Sequence, residues 1–109
     1  MTELVLLLRA DHDVQAAFDR YENYQPGRGE VFLRQLDAAL TLLRQHPESA
    51  PTYGGRYRRM LVRDFPYGIF YQVQPTRIVV GATMDLRQDP RRIRERLFGR
   101  RESEGREGG

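Results

Sequence analysis

Between Arg58 and Pro90 the chain passes through three short stretches of β-branched, aromatic and aliphatic residues, each closed by turn residues. They follow two segments with helical periodicity. The stretches are Tyr57 to Arg63, Tyr67 to Val73 and Ile78 to Met84, separated by Asp64-Phe65-Pro66-Tyr67-Gly68 and by Pro75-Thr76. Strands must pair their backbone groups, and a helix with one apolar stripe must bury it against a second layer. Helices followed by tightly connected strands therefore predict an α+β domain, with an αα-hairpin laid on an antiparallel meander.

Local signals place the other elements. Leu4 to Leu8 is an unbroken apolar run of strand length. Asp11 is suited to cap a following helix, with Asp13 in its first turn. Val14, Ala17 or Phe18, Tyr21 and Tyr24 then recur on one helical face, leaving Asp19, Arg20 and Glu22 outside. Gln25-Pro26-Gly27-Arg28-Gly29 breaks this helix, and a second one begins near Glu30. It carries Phe32 or Leu33, Leu36, Leu40 and Leu43, and it ends at His46 because Pro47 follows. Pro47 to Gly55 is rich in turn residues. Asp89 and Pro90 are the cap and first residue expected of a short helix, Arg91 to Phe98. The expected organisation is one domain over residues 1–98 and a charged, disordered tail over 99–109.

The 109 residues contain no cysteine, which removes disulfides, thiolate metal sites and a cysteine nucleophile. No Asp/Glu/His spacing predicts a metal site, and no glycine-rich loop follows a strand as a phosphate cradle requires. No cofactor is expected. The longest apolar run is too short to span a membrane or to form a secretory leader. The expected setting is soluble and cytoplasmic. Charge is unevenly placed: Met1 to Tyr53 holds 5 Arg against 8 acids, whereas Gly54 to Arg101 holds 12 Arg against 4 acids. The region that reads as sheet thus carries +8, a field that attracts acidic peptides, nucleic acids or acidic protein surfaces. All 18 basic residues are Arg, so no lysine is present as a general base or Schiff-base amine.

Several pieces in order carry a family resemblance: Asp19-Arg20-Tyr21-Glu22-Asn23-Tyr24, the Pro26-Gly27-Arg28-Gly29 turn, and Phe32 with Leu36. Arg59-Met60-Leu61, Phe65-Pro66-Tyr67 with Ile69 and Tyr71, and Arg87-Gln88-Asp89-Pro90 complete it. From about Leu4 to Leu97 the chain resembles the ParE branch of the RelE/ParE toxin superfamily. The resemblance implies a βααβββ core with a short C-terminal helix, and the toxin role in a type II toxin–antitoxin system. It also implies a cognate antitoxin that wraps the toxin with a helix and an extended segment, using strand addition and groove docking. ParE toxins are associated with inhibition of DNA gyrase, RelE toxins with cleavage of messenger RNA on the ribosome. Where relatives often carry a histidine two residues before the final arginine, this chain has Asp85.

The two branches differ in chemistry. Cleaving RNA through its 2′-hydroxyl needs a base, an acid and cationic stabilisation of the transition state. The places associated with these roles in RelE-type enzymes hold Arg59, Leu61, Gly68, Arg87 and Ile93 here. Arg59 and Arg87 remain cations, while Leu61, Gly68 and Ile93 neither move protons nor bind phosphate through a side chain. The expected activity is therefore binding without catalysis, with Arg59, Arg87 and Tyr71 as the residues a ribonuclease alternative would use. A third alternative is a non-toxic member that binds only an antitoxin-like partner. Arg58, Arg59, Arg63 and Arg87 are the candidate partner-binding residues. Alternation sends Arg58 to one face and Arg59 with Arg63 to the other, and edge protection by charge is the competing explanation. Arg91, Arg92, Arg94 and Arg96 surround Ile93 and Leu97 and are the candidate target contacts. His12 and His46 lie at helix ends, where position alone accounts for them. Tyr67 and Tyr71 are expected in the core, and Arg87 is expected to pair with Asp85 or Asp89.

Overall fold

The computed structural model describes residues 2–99, so most of the expected tail lies outside the described residues. The elements are β1 (Glu3–Leu6), α1 (Leu8–Tyr24), α2 (Arg28–Gln45), β2 (Thr52–Tyr53), β3 (Tyr57–Leu61), β4 (Tyr67–Val73), β5 (Arg77–Asp85) and α3 (Pro90–Phe98). One five-stranded sheet runs in the order β1-β5-β4-β3-β2. The meander β3-β4-β5 is antiparallel, as expected, and β1 joins it parallel to β5. The turn-rich stretch before Gly55 contributes the additional two-residue strand β2, which pairs with β3.

Both faces of the sheet are covered. On one, α1 and α2 lay Ala10, Ala17, Phe32, Leu36 and Leu43 over Ile69, Tyr71, Ile78 and Val80. On the other, Ile93 and Leu97 of α3 pack on Tyr57, Phe70, Ala82 and Met84. This explains why Tyr67 to Tyr71 is buried at every position although its residues alternate between faces. The Phe65-Pro66-Tyr67 turn is part of the first core. Phe65 meets Tyr21 and Phe32 edge-on at centroid distances of 4.9 and 5.2 Å, and the Arg28 guanidinium lies 4.6 Å above it.

Several local expectations change. Helix α1 begins at Leu8 with Leu7 as its N-cap and no side-chain cap, so Asp11 lies inside the first turn instead of capping. Tyr24, expected on the apolar face, is 80% exposed at the last residue of α1. Helix α2 starts at Arg28, and its first amides are satisfied from the preceding helix. The Glu22 carboxylate accepts from the Gly27 and Gly29 N–H groups at 2.9 and 3.0 Å. Glu22 is therefore a capping group for α2, not an outward-facing solvated acid. Asp89 and Pro90 behave as expected: the Asp89 carboxylate accepts from the Arg91 N–H at 2.9 Å, and Pro90 opens α3.

β1 is short, so it leaves the edge of β5 uncovered beyond Val80, and α1 takes over. The Leu7 N–H donates to the Val80 carbonyl at 3.0 Å, Arg9 Nε to the Gly81 carbonyl at 3.2 Å, and Asp13 Oδ2 accepts from the Thr83 N–H at 3.0 Å. These contacts, one from the backbone and two from side chains, close a sheet edge and coincide with a bulge. Phe70 pairs with Ala82 and Tyr71 with Val80, leaving Gly81 as the extra residue.

Candidate functional site

The candidate residues reach three separate places. Tyr71 is on the helix-covered face with its ring fully buried, and its hydroxyl donates to the Pro47 carbonyl at 2.7 Å. Burial raises its pKa above the ordinary tyrosine value, which keeps that hydroxyl protonated. Arg59 projects from the opposite face, where its guanidinium lies 5.8 Å from the Tyr53 ring centre. Arg87 is bound into the carboxylate of Asp85. Its N–H, Nε and Nη2 donate at 2.9, 3.1 and 2.8 Å, and Arg20 Nη1 reaches the same carboxylate at 3.2 Å. The Arg87 hydrogen bonds hold the Asp85 carboxyl below its usual range, and Asp85 in turn raises Arg87. Arg59, Arg87 and Tyr71 thus form no common centre.

Gly68 lies against Arg59, so a side chain at that position would need its neighbours to give by a few tenths of an ångström. An added Cβ there would lie 3.1 Å from Arg59 Cγ and 3.1 Å from Leu86 Cδ2, both within the packed sheet surface. Ile93 is buried under α3. Histidines 12 and 46 are both exposed, and His46 caps the end of α2.

Of the strand arginines, Arg58 folds back on its own loop, with Nη1 donating to the Glu48 and Ala50 carbonyls at 3.0 and 2.7 Å. Arg63 lies just past the end of β3 and is exposed. On α3, Arg91 pairs with Asp89 at 2.9 Å and Arg92 is exposed. Arg94 lies over the Phe98 ring at 5.7 Å. Arg96, the last of the candidate target contacts, turns towards α1. It reaches Asp13 of α1 at 2.7 Å, so the carboxylate that caps β5 also holds α3.

A feature not signalled by the chain's motifs is an apolar groove between α2 and β3. Leu42, Ser49, Ala50, Pro51, Arg59, Met60 and Leu61 line an open hollow of about 320 Å³. A second hollow of about 200 Å³ continues it past Ala38, Gln35 and Arg63. Leu42 and Leu61 are 47% and 57% exposed. Beyond Arg59, whose N–H donates to the Pro51 carbonyl, β3 has no strand partner on this side among the described residues. In the sequence, alternation alone offered a signal: it puts Leu61 on the face opposite Met60, but nothing indicates that the face is open there.

The chain thus forms a small domain of α+β architecture, with a sheet covered on both faces and an open apolar groove beside the edge of β3. The family model described as "ParE toxin of type II toxin-antitoxin system, parDE" matches residues 4–90. The chain belongs to the ParE toxin family of type II toxin–antitoxin systems. Among solved structures, one described as "Chromosomal ParDE TA system from P. aeruginosa" superposes with a TM-score of 0.71 at 17% identity. That match covers 79% of this chain and 97% of the other. No curated protein matches. No helix among the described residues is long and apolar enough to cross a membrane.

Proposed function

We propose that this chain is the toxin of a cytoplasmic toxin–antitoxin pair, silenced by a cognate antitoxin and acting by binding and inhibiting DNA gyrase without catalysis of its own. The observation that carries the non-catalytic reading is the placement of Tyr71, Arg59 and Arg87. One is buried with its proton committed to Pro47, one sits on the opposite face, and one is neutralised by Asp85. Transferring a proton to or from RNA requires groups within hydrogen-bond reach of one reacting centre. The groove between α2 and β3 is the proposed antitoxin seat. Leu42, Met60 and Leu61 would receive the apolar face of a helix, and the edge of β3 an extended segment, with Arg59 and Arg63 at the margin for its acids. Arg91, Arg92 and Arg94 are the proposed gyrase contacts, while Arg58 and Arg96 act within the fold.

Expression without antitoxin, followed by two readouts, tests the proposal. Growth arrest with DNA breaks, an SOS response and loss of supercoiling by purified gyrase is the expected result. Arrest with rapid loss of intact messenger RNA would establish a ribonuclease instead, and normal growth a non-toxic member.

A further inference from the structure

Where the turn after β2 meets the end of α3, aromatic rings and arginines interleave. The Tyr53 and Phe98 rings stack with centroids 6.5 Å apart and planes 11° from parallel, and Tyr57 meets Phe98 edge-on at 5.6 Å. Arg59 lies over Tyr53 at 5.8 Å, while Arg56 and Arg94 lie over Phe98 at 5.4 and 5.7 Å. Gly54 makes this approach possible: it has φ +63°, and an added Cβ would clash with the Phe98 ring. Among the described residues, the ion pairs formed are those of Arg20, Arg87, Arg91 and Arg96, so Arg56, Arg59 and Arg94 have no carboxylate partner. α3 itself contributes one acid, Glu95, against four arginines.

We infer that this ridge is a contact for the phosphate backbone of double-stranded DNA. A guanidinium resting against a ring is already partly ordered, so less side-chain entropy is lost when it meets an anion. The planar fork matches phosphate geometry. The rings are already engaged by one another and by the guanidiniums, which leaves them poorly available for stacking on splayed bases, the mode used for single strands. Phosphate contact without base contact gives affinity with little sequence preference and a steep salt dependence. The inference rests on the ridge alone, so it does not depend on gyrase being the target.

Fluorescence anisotropy of a labelled 20-base-pair duplex with the purified protein tests it. Three neutralised phosphates give a salt slope of about −2.7, so binding should weaken at least about 40-fold between 50 and 200 mM salt. In the Arg56→Ala/Arg94→Ala variant, the ridge retains one phosphate contact and its share of that weakening falls to about 3- to 4-fold. Affinity at 50 mM salt should fall about tenfold or more. A control with the same charge loss on other surfaces, Arg34→Ala/Arg77→Ala, should bind like the parent, and an unchanged melting temperature shows that each variant is folded. The inference is overturned by absence of duplex binding at 50 mM salt, by equal loss in the two variants, or by tighter binding to a single strand of equal length.

Discussion

Tyr71 shows how one side chain separates packing from chemistry. Its ring fills the core between the helices and the sheet, and its hydroxyl satisfies the Pro47 carbonyl in the loop after α2. Tyr71→Phe keeps the ring and removes one hydrogen bond, at a cost of about 1 kcal/mol. Melting should fall by about 4–8 °C, as expected for a domain of this size, with growth arrest unchanged. Retained toxicity would separate the tyrosine from any catalytic role. Asp85 makes the complementary case for charge. Its carboxyl is held low chiefly by hydrogen bonds from Arg87, so its stabilising contribution is present above the ordinary aspartate pKa of about 3.9. That contribution is lost as pH falls through the lower folded-state value. Both arginine partners are largely exposed, so solvent screening keeps the contribution small. Asp85→Asn should lower the melting temperature at pH 7 and flatten its decline below about pH 4, both measurable by a thermal melt across pH.

The helices are joined by contacts that span elements. Glu22, near the end of α1, caps the first amides of α2, which has no side-chain cap of its own. Replacing it with Ala should cost about 0.5–2 kcal/mol, the range of a lost N-cap, measured by urea unfolding. Glycine at position 29 belongs to the same junction, since an added Cβ would lie 2.7 Å from the Phe18 ring and 2.9 Å from the Glu22 carboxylate. Asp13 performs a similar service for β5 and α3 at once, accepting from the Thr83 N–H and from Arg96. Asp13→Ala leaves a sheet-edge amide without an acceptor, at a cost of about 1–3 kcal/mol. A double-mutant cycle with Arg96→Ala should return a coupling of about 0.5–3 kcal/mol, because the Arg96 guanidinium binds the Asp13 carboxylate directly. Zero coupling would show that α3 is held without the ion pair, by Ile93, Leu97 and Phe98 and by the Tyr57 hydroxyl bond to the Leu97 carbonyl.

At the scale of the molecule, the α2–β3 groove is an apolar surface suited to a partner beside a sheet covered on both sides. An antitoxin present at 100 times its Kd should stabilise the toxin by about 2.7 kcal/mol, read as a rise in melting temperature. Leu42→Asp/Leu61→Glu should abolish that rise while leaving growth arrest intact. Both side chains are exposed, so the free protein should fold normally.

Much of the architecture was legible locally. Pro47 ended α2, Asp89 and Pro90 opened α3, and period-two runs marked β3, β4 and β5, because capping, proline sterics and side-chain alternation act within a few residues. The fate of each arginine was decided by the tertiary structure. Arg96 meets an acid 83 positions away, Asp13 caps an amide 70 positions away, and Arg56 and Arg94 converge on Phe98 from different elements. Polar contacts form over about 3 Å, and only folding brings such distant groups that close. Composition therefore determined that the sheet region is basic, while packing determined which cations are neutralised and which remain available to a partner.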